Sequence, residues 1–89
     1  MQINVTLEVW RKTKSFVAKC PELDFISQGS TREEAKKNLL EVIEIQFEEM
    51  ASMGTLVDYL AECGYHKHND KFSQHTEMIG FEKYAVQVA

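Results

Sequence analysis

The chain has 89 residues, 44% of them hydrophobic and 27% charged, with a formal net charge of −4. One proline and four glycines exclude a linker, a collagen-like repeat or a low-complexity chain, and the balance of apolar to charged residues is that of a folded domain. No uncharged stretch is long enough for a membrane span, and the start lacks the basic-then-apolar layout of a secretory signal. These features predict a single small cytoplasmic domain over residues 1–89, burying roughly 64% of its unfolded surface.

The acidic balance, with an isoelectric point near 5.3, speaks against a broad grip on nucleic acid. Charge is unevenly spread. Residues 1–19 carry Arg11, Lys12, Lys14 and Lys19 against Glu8, whereas the segment Arg32 to Ala51 carries six glutamates against Arg32, Lys36 and Lys37. Such a domain suits a basic protein partner better than a phosphate backbone. Cys20 and Cys63 are too few for a disulfide framework and are expected as free thiols.

Gln2 to Trp10 alternates, with Ile3, Val5, Leu7 and Val9 on one face and Asn4, Thr6 and Glu8 on the other, which predicts a half-buried strand. Arg11 to Ser15 reads as a hairpin loop, and Phe16 to Cys20 as a second strand ended by Pro21, which has no N–H for a ladder. Phe25 to Gln28 is a short third strand closed by Gly29. Ser30 and Thr31 each precede a glutamate by three positions, Glu33 and Glu34, so either can open a helix with a capping box. The helix is expected to run to about Ala51, with Ala35, Leu39, Val42, Ile43, Phe47 and Met50 as its apolar stripe, Leu40 widening it and Ile45 outside it. Gly54 ends it. Thr55 can cap a second helix whose apolar positions are Leu56, Tyr59, Leu60 and Cys63, stopped by Gly64. Tyr65 to Gln74 reads as a polar loop, and Tyr84, Val86 and Val88 alternate as a final strand. The predicted class is α+β: an antiparallel sheet in the order β-β-β-α-α-β, with one long helix packed on one face.

Three blocks of this text belong together: Phe16-Val17-Ala18-Lys19-Cys20-Pro21-Glu22-Leu23, then Ser27-Gln28-Gly29-Ser30-Thr31-Arg32-Glu33-Glu34-Ala35, then Asn38-Leu39-Leu40-Glu41. In combination they resemble the HicB-like antitoxin family, whose usual text is a strand ending in C/V-P-E/D-L, then S-Q-G-D-T-x-E-E-A, then N-L-x-E. Ser30 stands where aspartate is common, and the link from Leu23 to Phe25 is shorter than in many members. The resemblance covers residues 1 to about 50. It implies a partial RNase H-like fold without RNase H chemistry, and a partner: a small, basic, mRNA-cleaving HicA-like toxin. Many members also carry a C-terminal DNA-binding module, and the 25 residues after Gly64 leave no room for a two-helix reader, so no direct nucleic-acid contact is expected. A stand-alone HicB-like binding or assembly protein with no toxin is the alternative.

Other chemistries fit less well. A two-metal nuclease needs carboxylates converging from a core strand, and the first strand offers only Glu8, while Glu22 and Asp24 read as solvated loop charges. No catalytic residue, metal or cofactor is expected. Cys63, His66, His68 and His75 form C-x2-H-x-H-x6-H, which is not the spacing of a structural zinc site, and Cys63 already has a packing role. The candidate partner-binding residues are Glu41, Glu44 and Glu48, spaced three and four apart opposite the apolar stripe. Like charges so placed weaken an isolated helix by roughly 0.2–0.5 kcal/mol a pair, so an unneutralised row there points to attraction of a basic toxin. Open sheet edges, together with Ile45, further predict a homodimer or homotetramer, with no membrane partner.

Overall fold

The computed structural model describes residues 2–89. It is an α+β protein with two helices and two three-stranded sheets. The strands are β1 (Gln2–Ile3), β2 (Glu8–Arg11), β3 (Phe16–Cys20), β4 (Phe25–Gly29), β5 (Tyr65–His68) and β6 (Lys71–Gln74); the helices are α1 (Arg32–Met53) and α2 (Leu56–Glu62). One sheet is an antiparallel meander in the order β2-β3-β4. The other has the order β1-β6-β5, with β5 and β6 antiparallel and β1 parallel to β6.

The alternating run at the start is therefore not one strand. Ile3, Val5 and Leu7 do turn inward against the core as their spacing predicts. The ladder is interrupted because side chains take the backbone groups between β1 and β2. The Glu22 carboxylate accepts from the Thr6 amide at 3.0 Å, and the Tyr65 hydroxyl donates to the Asn4 carbonyl at 2.8 Å. With those groups satisfied away from a neighbouring strand, the chain leaves one sheet after Ile3 and enters the other at Glu8. The expected single antiparallel sheet is thereby corrected to two.

The meander follows its text closely. Arg11 pairs with Phe16 across Lys12–Ser15, where the Lys12 amide donates to the Ser15 carbonyl at 2.8 Å. Cys20 pairs with Phe25 across a turn through Pro21, Glu22, Leu23 and Asp24. Asp24 adopts φ 58°, the left-handed region that aspartate tolerates better than most residues.

Of the two possible caps, Thr31 is the one used: its Oγ1 accepts from the Glu34 amide at 3.0 Å, and the Glu34 carboxylate accepts from the Ser30 amide at 3.1 Å and the Ser30 hydroxyl at 3.2 Å. α1 then runs to Met53, two residues beyond the expected end. Gly54, at φ 74°, closes it: its amide donates to Ala51 and the Thr55 amide to Met50, the paired bonds of a Schellman motif. Thr55 stands at the N-cap of α2, its carbonyl accepting from the Tyr59 amide at 3.0 Å, but its hydroxyl turns back to the Met50 carbonyl at 3.4 Å and caps no helical amide. Leu40 lies largely in solvent instead of widening the apolar stripe, and Ile45 is exposed as expected.

Two expectations for the C-terminal third are overturned. The polar segment after Gly64 is a hairpin, β5–β6, because Tyr65 and Phe72 are both buried in the core and Asn69 takes the left-handed turn conformation at φ 57°. The predicted final strand is absent: residues 75–89 have no regular secondary structure and are exposed throughout. Alternation gave Tyr84, Val86 and Val88 the right pattern, but a strand also requires a neighbour.

The core lies between α1 and the meander, continued by α2 and the hairpin. Ala18, Cys20, Ala35 and Leu39 are wholly buried, joined by Leu23, Ile43, Leu60, Tyr65 and Phe72. The Tyr59 hydroxyl donates to the Leu23 carbonyl at 2.8 Å, and the Asn38 side-chain amide to the Gln28 carbonyl at 2.8 Å, locking each helix to β4 or its approach. Gly29 serves this packing and not a positive φ: a Cβ there would lie 2.7 Å from the Ala35 amide nitrogen and 2.9 Å from Glu34 Cβ. Gly29→Ala is accordingly expected to lower stability by about 1–3 kcal/mol in urea denaturation. Gly80→Ala, where an added methyl meets nothing within 4 Å, is expected to stay within about 0.5 kcal/mol of wild type.

Candidate functional site

Three groups of side chains could carry function: the outer face of α1, the carboxylate on the β3–β4 turn, and the histidines of the hairpin. The outer face of α1 is built by the same periodicity that builds the core. With Ala35, Leu39 and Ile43 turned onto the meander, Glu41, Glu44 and Glu48 are all exposed on the other side. Glu49 is exposed beside them, and the last turn of α1 contains no basic residue to complement its partial negative charge. The three predicted site residues thus share one solvent face of one helix, running from its middle towards its C-terminal end.

Glu22 is not the solvated loop charge its position suggested. Half-buried, it accepts from the Thr6 amide with both oxygens at 3.0 Å and also from the Thr6 hydroxyl, and the Cys20 thiol donates to Oε1 at 3.6 Å. Burial by itself would raise its pKa; the Thr6 hydroxyl and amide outweigh this and hold the carboxyl below its usual value. The sequence carried no signal for this tie, because its members are 16 positions apart.

Around Glu22 opens a hollow of about 520 Å3, lined in part by Asn4, Thr6, Ser73, Gln74 and Glu77. Its chemistry is that of a structural tie. Cys20 is fully buried, and burial pushes its thiol up to about 11, whereas a nucleophilic cysteine requires the opposite shift. Tyr59 is raised to about 12, mainly by burial, and Tyr65 is raised for the same reason. Both hydroxyls donate to backbone carbonyls and stay neutral anchors.

The histidines lie on and beside the hairpin. His66 and His75 stack with ring centroids 4.2 Å apart, and Ser73 Oγ sits 3.4 Å from His66 Nε2. Among the described residues no group of three or more His, Cys, Asp or Glu side chains is gathered so as to hold a metal ion. Cys63 closes α2, where its carbonyl accepts from the Gln74 side-chain amide at 3.0 Å, while His66 and His68 lie on β5 and His75 follows the end of β6.

Set beside known proteins, the chain matches no family model, no curated protein and no solved structure. No helix among the described residues is long and apolar enough to cross a membrane. The geometry therefore rests on its own chemistry: an acidic helix face open to solvent, and a half-buried carboxylate whose oxygens are already bonded to Thr6.

The Glu22 tie makes stability depend on pH with a definite sign. A carboxyl whose folded pKa is depressed contributes stability above its unfolded value and loses it as pH falls through the folded value. Thr6→Val, which removes the hydroxyl donor, is expected to cost about 1 kcal/mol at pH 7. Urea titrations should show the gap from wild type narrowing as pH falls below the usual carboxylate range and Glu22 protonates in both chains.

Proposed function

We propose that the chain is a noncatalytic HicB-like antitoxin that neutralises a small basic HicA-like ribonuclease by covering it. The single observation that supports this most is the ordered text from Phe16 to Glu41, read together with the acidic helix face that text sets in place. The close approach of Gly29 to Ala35 and Glu34, the Thr31–Glu34 cap, the buried Ala35 and Leu39 and the Asn38 bond to Gln28 each give a motif residue a structural duty. They fix where α1 lies on the sheet, and hence where Glu41, Glu44 and Glu48 stand. A basic nuclease needs its cationic surface to grip RNA. A rigid row of carboxylates competes for that surface without chemistry of its own.

The test begins with a neighbouring open reading frame encoding a small basic protein. Expressed alone it should arrest growth, and co-expression of this chain should restore growth and yield a complex that co-purifies. A toxic neighbour that is neither rescued nor bound would remove the antitoxin reading and leave the stand-alone binding protein in its place.

The role of the acidic face is measured separately. Replacing Glu44 and Glu48 by glutamine should slow stopped-flow association with the toxin several-fold at low salt. The difference should fade as ionic strength shortens the screening length to about 3 Å at 1 M. Equal on-rates at low salt would place recognition elsewhere on the surface.

A further inference from the structure

On the meander, the face that α1 covers ends in a charge. Val9 pairs with Ala18, and Arg11 with Phe16, so these four side chains point to one face, the face on which Ala18 is wholly buried. Phe16 pairs in turn with Gly29 at the end of β4, from which the chain passes through Ser30 and Thr31 to Arg32 at the start of α1. The register thereby gathers Arg11, Phe16 and Arg32 at one corner. α1 lies chiefly over β3 and β4, and β2 keeps its helix-side face partly open there: Val9 is half-buried and Arg11 exposed.

A hollow of about 390 Å3 opens at this corner, lined by Val9, Arg11, Phe16 and Arg32. Both of its charges are positive. That is the reverse of the hollow around Glu22, whose charged residues are Glu22 and Glu77. Glu33 and Glu34, next to Arg32 in sequence, are not among the lining residues, and the Glu34 carboxylate is bonded to Ser30. The Arg11 guanidinium lies over the Phe16 ring, 5.7 Å from its centre, which limits the freedom it would lose on gripping a ligand. Lys12 and Lys14, exposed in the turn after Arg11, and the first turn of α1 add positive potential at the same corner. Two like charges on one hollow repel each other, and an anion seated between them relieves both.

We propose that this corner binds a phosphate dianion, free or as the terminal group of a phosphate monoester, through Arg11 and Arg32. The guanidinium fork offers paired N–H donors to phosphate and carboxylate oxygens alike. Charge decides between those two. A phosphate monoester carries about −1.5 to −2 at neutral pH, which two arginines neutralise, whereas a single carboxylate leaves one arginine uncompensated. Val9 and Phe16 form the rest of the lining, an apolar surface against which the organic part of an ester can lie. The corner stands at the opposite end of α1 from Glu44 and Glu48, so the proposal does not rest on the toxin reading, and either can fail without the other.

The full chain is to be titrated at constant ionic strength with sodium phosphate, and separately with adenosine 5′-monophosphate, adenosine and sodium acetate, following backbone amide and arginine Nε–H resonances by NMR. Phosphate should shift Arg11, Phe16 and Arg32 saturably, while adenosine and acetate do not saturate over the same concentrations. Arg11→Gln and Arg32→Gln, each with the wild-type far-UV spectrum, should raise the phosphate dissociation constant about tenfold or more. Arg11→Lys, which keeps the charge and loses the fork, should also weaken binding. Lys67→Gln makes the same change of net charge on β5 and should stay within about twofold of wild type. Adenosine 5′-monophosphate binding at least as tightly as inorganic phosphate assigns a monoester, and binding of inorganic phosphate alone assigns the free ion; both uphold the site. Shifts that rise linearly without saturation would overturn it. So would a response to acetate equal to that of phosphate, or undiminished affinity in both Arg11→Gln and Arg32→Gln.

Discussion

The structure depends on how closely one helix can approach one sheet. At the start of α1 the contact is made by residues with little or no side chain: Gly29 at the end of β4, Ala35 one turn into the helix, and Ala18 and Cys20 on β3 beneath it. Because these positions are small, the helix axis comes down onto the strands at this end, and larger residues, Leu39, Ile43 and Leu60, fill the space beyond. A small domain buries a modest fraction of its surface, so it gains most by having no gap where its only long helix meets its best-formed sheet. The cap at Thr31 and Glu34 lies at the same junction, on its solvent side, and satisfies the first helical amides directly after the Gly29 close approach.

The parts of this arrangement that were legible in the sequence are those determined by neighbours within a few positions. The β3–β4 ladder, the Thr31–Glu34 cap, the inner positions Ala35, Leu39 and Ile43 of α1 and the glycine stops at Gly54 and Gly64 all rest on local spacing, and all stand within two residues of where spacing put them. What was not legible depends on residues far apart. The break in the first strand is made by Glu22 and Tyr65 reaching the backbone of Thr6 and Asn4. The hairpin after Gly64 looked polar because three of the four β5 residues are exposed, leaving Tyr65 and Phe72 as its only large buried anchors. In the tail the error ran the other way: perfect alternation with no partner strand in reach.

The candidate site divides along the same line. Glu41, Glu44 and Glu48 could be placed on one exposed face from helical spacing alone, because a helix whose inner stripe is known fixes its outer stripe. Glu22 could not, since nothing near Glu22 announces that Thr6 will supply two donors to it. A charged residue on a turn is usually solvated; here the turn is pressed against the connection between the two sheets, and the carboxylate becomes the joint that holds them.

That division bears on where function can reside. Of the residues that make the text distinctive, Gly29, Thr31, Glu34, Ala35, Asn38 and Leu39 are engaged in packing, capping or bonding to the sheet, while Glu41 stands on the exposed face of α1. The surfaces that remain are the outer face of α1 and the β2 edge, and they do not overlap: α1 lies chiefly over β3 and β4, whereas β2 forms the far border of the meander.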